Sequence, residues 1–136
     1  MPVLVDTNVL LDIATEDPHW FDWSASHLSK AANRDGLAIN PIIYAELSVH
    51  YETIEALEVA LSGHPFARLP LPWDAAFVAG KAYRRYRRRG GAKRSPLPDF
   101  SIGAHAVAAG LALLTRDAPR YREYFPGLKL ITPSAA

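Results

Sequence analysis

Four acidic residues stand where chemistry is possible: Asp6 in VLVDTN, Glu46 in IIYAELS, Asp99 in PLPDFSIG and Asp117 in ALLTRDAP. Each lies among apolar neighbours, just past an apolar run or near the start of a helical pattern. One carboxylate in such a place is often a helix cap. Several that converge repel one another, so a cluster either takes up protons or binds a cation. Oxygen ligands without cysteine or histidine suit Mg2+ or Mn2+. Such an ion orients a phosphodiester, offsets developing charge and lowers the pKa of a bound water.

A basic segment accompanies the acids. Ala75 to Pro98 contains no Asp or Glu, yet it holds Lys81, Arg84, Arg85, Arg87, Arg88, Arg89, Lys93 and Arg94. Net charge is only +1, so the total hides this local field. Acids beside a basic segment are the pairing a nuclease needs, with arginines holding the flanking phosphates. Arg84, Arg87, Arg88, Lys93 and Arg94 are the expected RNA contacts, interleaved by Tyr83 and Tyr86.

Plainer roles compete for the same residues. Asp6, Asp99 and Asp117 could all be caps, although Thr7 could cap in place of Asp6. Glu46 is harder to explain that way, because a carboxylate amid Ile42, Ile43, Tyr44 and Leu47 is usually exposed or paired. The basic run could be a solvated helix face, or it could face the acidic part of a partner. His105 has no metal partner at helical spacing and is expected to face solvent or bond within the core. Trp20, Phe21, Trp23 and Leu28 form an apolar stripe suited to a core or an interface.

These residues need elements to position them. Val3–Val5 reads as a first strand and Leu37–Ile39 as a second. Asn40 at N-cap and Pro41 at N1 open the helix that carries Glu46. A further helix is expected from about Glu52 to Leu61. ARLPL is a weaker third strand, demoted by its prolines. Asp74 is expected to cap a long helix that ends at Gly90–Gly91. AKRSPLP reads as a loop, and Asp99 as the opening of the next helix. Leu111–Thr115 and Leu128–Thr132 complete the strands. Strands separated by helices predict an α/β fold, a parallel sheet with helices on both faces. In such sheets, sites form at the carboxyl ends of strands, where Asp6 and Asp117 would lie.

The chain of 136 residues fits one domain, 1–136, with residues 133–136 as a frayed tail. At 49% apolar and 21% charged it is too apolar to be disordered. The absence of cysteine excludes disulfides, thiolate metal sites and a cysteine nucleophile. No apolar run approaches the ~20 residues of a membrane helix, and the N-terminus lacks a secretory pattern. The expectation is a cytoplasmic protein with no membrane partner.

Taken together, VDTNVLLDI, YAELS, PDFSIGAHA and LLTRD…YFPGLKLITP resemble the PIN-domain family. Within it they look like the VapC toxins of type II toxin–antitoxin pairs. The motifs run in order along the whole chain. The resemblance implies a three-layer α/β/α sandwich with a central parallel sheet and Mg2+- or Mn2+-dependent endoribonuclease activity. By it, Asp6, Glu46, Asp99 and Asp117 would be the catalytic acids, and Asp6, Asp99 and Asp117 the metal ligands. Thr7, Asn8 and Thr115 match supporting positions that orient carboxylates or water. It further implies a homodimer, a cognate VapB antitoxin, and operator DNA bound only through that antitoxin.

Two other classes stay open. One is a PIN-like module that grips RNA or protein without cutting. The other is a phosphatase or phosphoacceptor domain. Against the latter, Asn8 stands where haloacid phosphatases have a second Asp, and no glycine-rich phosphate loop follows the first strand.

Overall fold

The computed structural model describes residues 1–90 and 97–133. Its elements run β1 (Val3–Val5), α1 (Thr7–Ala14), α2 (Phe21–Arg34), β2 (Leu37–Ile39), α3 (Pro41–Ser48), α4 (Ile54–Leu61), β3 (Phe66–Arg68), α5 (Trp73–Arg88), α6 (Leu97–Ala109), β4 (Leu113–Leu114), α7 (Ala118–Tyr124) and β5 (Leu130–Ile131). The five strands form one parallel sheet in the order β3-β2-β1-β4-β5. Val3 lies opposite Leu37, and Val5 opposite Leu114.

The strand order explains the layers. From β1 the chain builds outward to β2 and β3, then crosses back to β4 and β5 on the other side. Right-handed crossovers in opposite directions put α1–α4 on one face and α5–α7 on the other. This is the expected α/β/α sandwich. The inner strands are therefore buried on both faces. Val3–Val5 and Leu37–Ile39 carry uninterrupted apolar residues, all at most 2% exposed, where a one-sided sheet would alternate.

Local chemistry sets the helix starts. Asp6 has extended backbone, and its side chain accepts from Thr7 N, so it caps α1 itself and Thr7 does not. Asn40 accepts from Ile43 N with Pro41 at N1, as expected. Thr53 caps α4 in the same way. Asp74 does not cap α5. The helix starts two residues earlier than that cap would set it, at Trp73 behind Pro72, whose φ of −65° and ψ of 146° end the extended segment. Asp74 instead accepts from Ala75 N within the first turn, where its charge suits the helix dipole. Asp99 likewise sits inside the first turn of α6, which begins at Leu97. The third strand is Phe66–Arg68, set back from the prolines of ARLPL because proline cannot donate to the ladder.

Gly103 brings α6 and α7 together. A Cβ at this position would stand 2.7 Å from Phe125 Cε2 and 3.1 Å from Tyr121 Cδ1. Both rings are buried, so only a glycine lets α7 approach this closely. The approach matters because α7 carries side chains to the carboxyl edge of the sheet. Among the described residues, no helix is long and apolar enough to cross a membrane.

Candidate active site

The strand order reverses direction between β1 and β4, and ligands of open parallel sheets bind at such a switch point. Asp6 follows β1 there, and Thr115, Arg116 and Asp117 follow β4. Asp6 is 3% exposed and accepts four hydrogen bonds. Thr7 N donates to Oδ1 at 2.8 Å. Oδ2 accepts from Thr115 Oγ1 at 2.8 Å, Tyr121 OH at 2.9 Å and Asn8 Nδ2 at 3.3 Å. A carboxylate with that many donors would ordinarily titrate low. Burial outweighs the donors and, with help from the charge of Asp99, raises the Asp6 pKa to about 7.

The three expected supporting residues knit separate elements together. Thr7 Oγ1 donates to Glu46 Oε1 at 2.6 Å, tying α3 to α1. Asn8 Nδ2 donates to Thr115 Oγ1 at 3.2 Å, and Asn8 Oδ1 accepts from Arg116 N at 3.3 Å. Thr115 Oγ1 also accepts from Asp117 N at 3.1 Å, fixing the loop between β4 and α7. Asp117 occupies the N-cap position of α7 without a side-chain cap bond and is exposed. It is thus not spent as a cap.

The acids feel one another. Burial raises the pKa of Glu46, and Asp99 adds to the rise. Burial also raises Asp99; Arg120 opposes this and Asp117 adds to it. All four acids therefore belong to one electrostatic neighbourhood. The donor set is wholly oxygen, half-buried and rich in negative charge, which fits a hard divalent ion in chemistry. It is not gathered into a cage: among the described residues, no three Asp, Glu or His side chains are placed to hold a metal ion. Asp99 is engaged by Arg120 Nη1 at 2.7 Å.

Several participants escaped the sequence reading. Tyr121 is one, although its position four residues after Asp117 gave it the same helix face. Arg120 is another. A third is the clamp on the loop after β4. Arg116 makes a two-pronged ion pair with Asp12, Nε to Oδ2 at 2.7 Å and Nη2 to Oδ1 at 2.9 Å. Ser24 Oγ adds a bond to Asp12 Oδ2 at 2.8 Å, and Trp20 lies under the guanidinium at 5.4 Å. Asp12 is a buried acid in an otherwise largely apolar helix, and no local motif marks its partner.

The basic segment is partly as expected. Arg84, Arg87 and Arg88 are exposed on the last turns of α5, with Arg87 Nη1 donating to Tyr83 OH at 3.4 Å. No acid lies within the segment itself, but Glu123 on α7 offsets part of its charge by pairing with Arg89 at 2.9 Å. Arg85 is turned onto the Tyr124 carbonyl and ring. Lys93, Arg94, Gly91 and most of the AKRSPLP loop lie outside the described residues, as does the tail from 134. His105 is buried at 1% exposure and faces Asn40 Nδ2 at 2.9 Å, a core role. In the Trp20 to Leu28 stripe, Leu28 reaches the core, while the two tryptophans pack edge to face at 6.2 Å.

Comparison with known proteins places this geometry. The family model for the PIN domain matches residues 3–123. Among solved structures, VapBC2 from Rickettsia felis, bound to a DNA fragment from its promoter, is similar at a TM-score of 0.72 and 20% identity, covering 97% of this chain and 98% of that one. VapBC-1 from nontypeable Haemophilus influenzae gives 0.72 and 21% over 97% and 98%. A toxin–antitoxin complex from Klebsiella pneumoniae gives 0.69 and 26% over 98% and 99%. No curated protein sequence matches. The family match takes in β1, the sheet's switch point and all four acids, and the chain belongs to the PIN-domain family.

Proposed function

We propose that this chain is the toxin of a type II toxin–antitoxin pair and acts as a metal-dependent endoribonuclease. One observation carries the reading: a buried carboxylate, Asp6, is held near pKa 7 beside other acids at the switch point of a parallel sheet. The family match and the likeness to toxin–antitoxin complexes support it.

In this reading Asp6, Asp99 and Asp117 hold Mg2+, for which Mn2+ substitutes. The ion would supply charge stabilisation at the phosphate and favour ionisation of water there. The chain's own residues orient the reaction. Thr115, Tyr121 and Asn8 fix the Asp6 oxygens. Thr7 aims Glu46, whose raised pKa suits it to take a proton from the attacking water. Water attacks phosphorus, the bond to the 3′ oxygen breaks, and the products carry a 5′-phosphate and a 3′-hydroxyl. The RNA 2′-OH is not needed. Arg84, Arg87, Arg88, Lys93 and Arg94 hold flanking phosphates. The partners are a VapB-type antitoxin, operator DNA through that antitoxin, and a second copy of the chain.

A second reading draws on the ungathered acids: a PIN-like module that binds RNA or protein without cutting. The deciding experiment is cleavage of total RNA by antitoxin-free protein with Mg2+, Mn2+ or EDTA, beside Asp6→Asn. Discrete cuts that need the ion and vanish in a folded Asp6→Asn are expected. A folded protein that binds RNA and never cuts it would favour the module.

A further inference from the structure

Of the four acids, Asp99 alone among the described residues forms an ion pair. Its partner Arg120 is a permanent cation, since a guanidinium does not lose its proton in a protein. The contact is a single bond, Nη1 to Oδ2 at 2.7 Å, and both side chains are partly open to solvent at 35% and 28% exposure. This is not the two-pronged, closed geometry by which Arg116 grips Asp12. Arg120 has a second resting place as well. Its guanidinium lies 5.8 Å from the ring centre of Tyr86, which packs on Phe100 at 5.7 Å and Tyr124 at 6.2 Å. An aromatic face can hold a cation after its carboxylate is taken away. The adjacent residue Tyr121 is anchored on Asp6, so Arg120 is held at the mouth of the acid group even when its own side chain moves.

We propose that Arg120 is the displaceable counter-ion of Asp99: it occupies the carboxylate while no divalent ion is bound, and yields it to the ion while staying against Tyr86. This rests on reading the acids as a cation site. It also rests on the one acid of the set that a cation already holds, through a single bond. Arg120 and the ion then compete for one carboxylate, so each weakens the other's hold on it.

The test is Mn2+ binding by calorimetry to RNA-free, antitoxin-free protein, for the native chain, Arg120→Gln and Arg120→Lys. Removing a competitor should tighten Mn2+ binding roughly tenfold in Arg120→Gln and leave Arg120→Lys near the native value. A residue that merely supported the ligands would do the reverse, and its loss would weaken binding roughly 10–100-fold. Unchanged or weaker binding in Arg120→Gln overturns the proposal. If that variant does not fold, the native chain still decides: saturation with Mg2+ should shift the Arg120 guanidinium 15N resonances, and unmoved resonances overturn it. Tighter Mn2+ binding without RNA cleavage by any variant upholds this inference and sinks the nuclease. Cleavage by a native chain whose Mn2+ affinity Arg120→Gln leaves unchanged does the opposite. If neither chain binds Mn2+, both fall.

Discussion

The Tyr121 hydroxyl donates to Asp6 Oδ2 at 2.9 Å, across 115 residues of sequence. Burial and the charges of Asp6 and Asp99 raise the pKa of Tyr121 well above 10, so it stays a donor at any working pH. It is one of the bonds that oppose the rise of Asp6 to about 7. For stability the sign is clear. The folded-state pKa lies above the ordinary 3.8, so this group favours folding most below 3.8. That contribution is lost as pH rises through about 7.

Tyr121→Phe should therefore move the Asp6 titration of the metal-free protein further upward. The lost bond to a charged acceptor should cost about 1.5–3 kcal/mol of stability. A 13C titration of the Asp6 carboxyl in EDTA, beside urea unfolding, would read both. An unmoved titration in a folded variant would mean that Tyr121 only packs.

Arg116 and Asp12 should prove unequal in mutation. Asp12 is 2% exposed and Arg116 32%, so only the arginine can turn to water when its partner is gone. Arg116→Met strands a buried carboxylate and should cost about 3–5 kcal/mol. Asp12→Asn keeps Ser24 as a neighbour and should cost about 1–3 kcal/mol. Urea unfolding of the two variants decides it. Equal losses would mean that the pair acts only as a unit, with no asymmetry from burial.

His105 should make the fold acid-sensitive. Asn40 spends Oδ1 on Ile43 N, so its Nδ2 faces His105 Nδ1, which must accept. Protonating His105 would set two donors face to face, and burial already lowers its pKa from 6.5. Its contribution is thus present above about 6.5 and lost as pH falls toward the depressed folded value. The Tm advantage of the native chain over His105→Gln should shrink between pH 7 and pH 5. Parallel Tm curves would refute the assignment. The comparison with the variant matters, because Asp6 pulls stability the other way over the same range.

Much of the frame was legible locally. Val3–Val5 and Leu37–Ile39 announced doubly covered strands by unbroken apolar character, and Asn40–Pro41 announced a helix start. Helix ends set by a competing neighbour were not legible. Pro72 displaced Asp74 as the start of α5, and α6 began before Asp99. Both acids kept their first-turn place, which propensity alone cannot separate from a cap.

By itself, the sequence determined the parallel α/β frame, the four acids and their placement near strand ends and helix starts. Apolar periodicity reports which faces are covered, and capping chemistry is local, so both can be read along the chain. Only the tertiary structure decided which partner each acid has. Tyr121 reaches Asp6, Thr7 reaches Glu46, Arg120 takes Asp99, and Arg116 takes Asp12 rather than Asp117. These bonds join residues that meet only when β4 pairs with β1 and Gly103 lets α7 close on α6. No local preference encodes such meetings, because the energy that selects them comes from burial of the whole sheet.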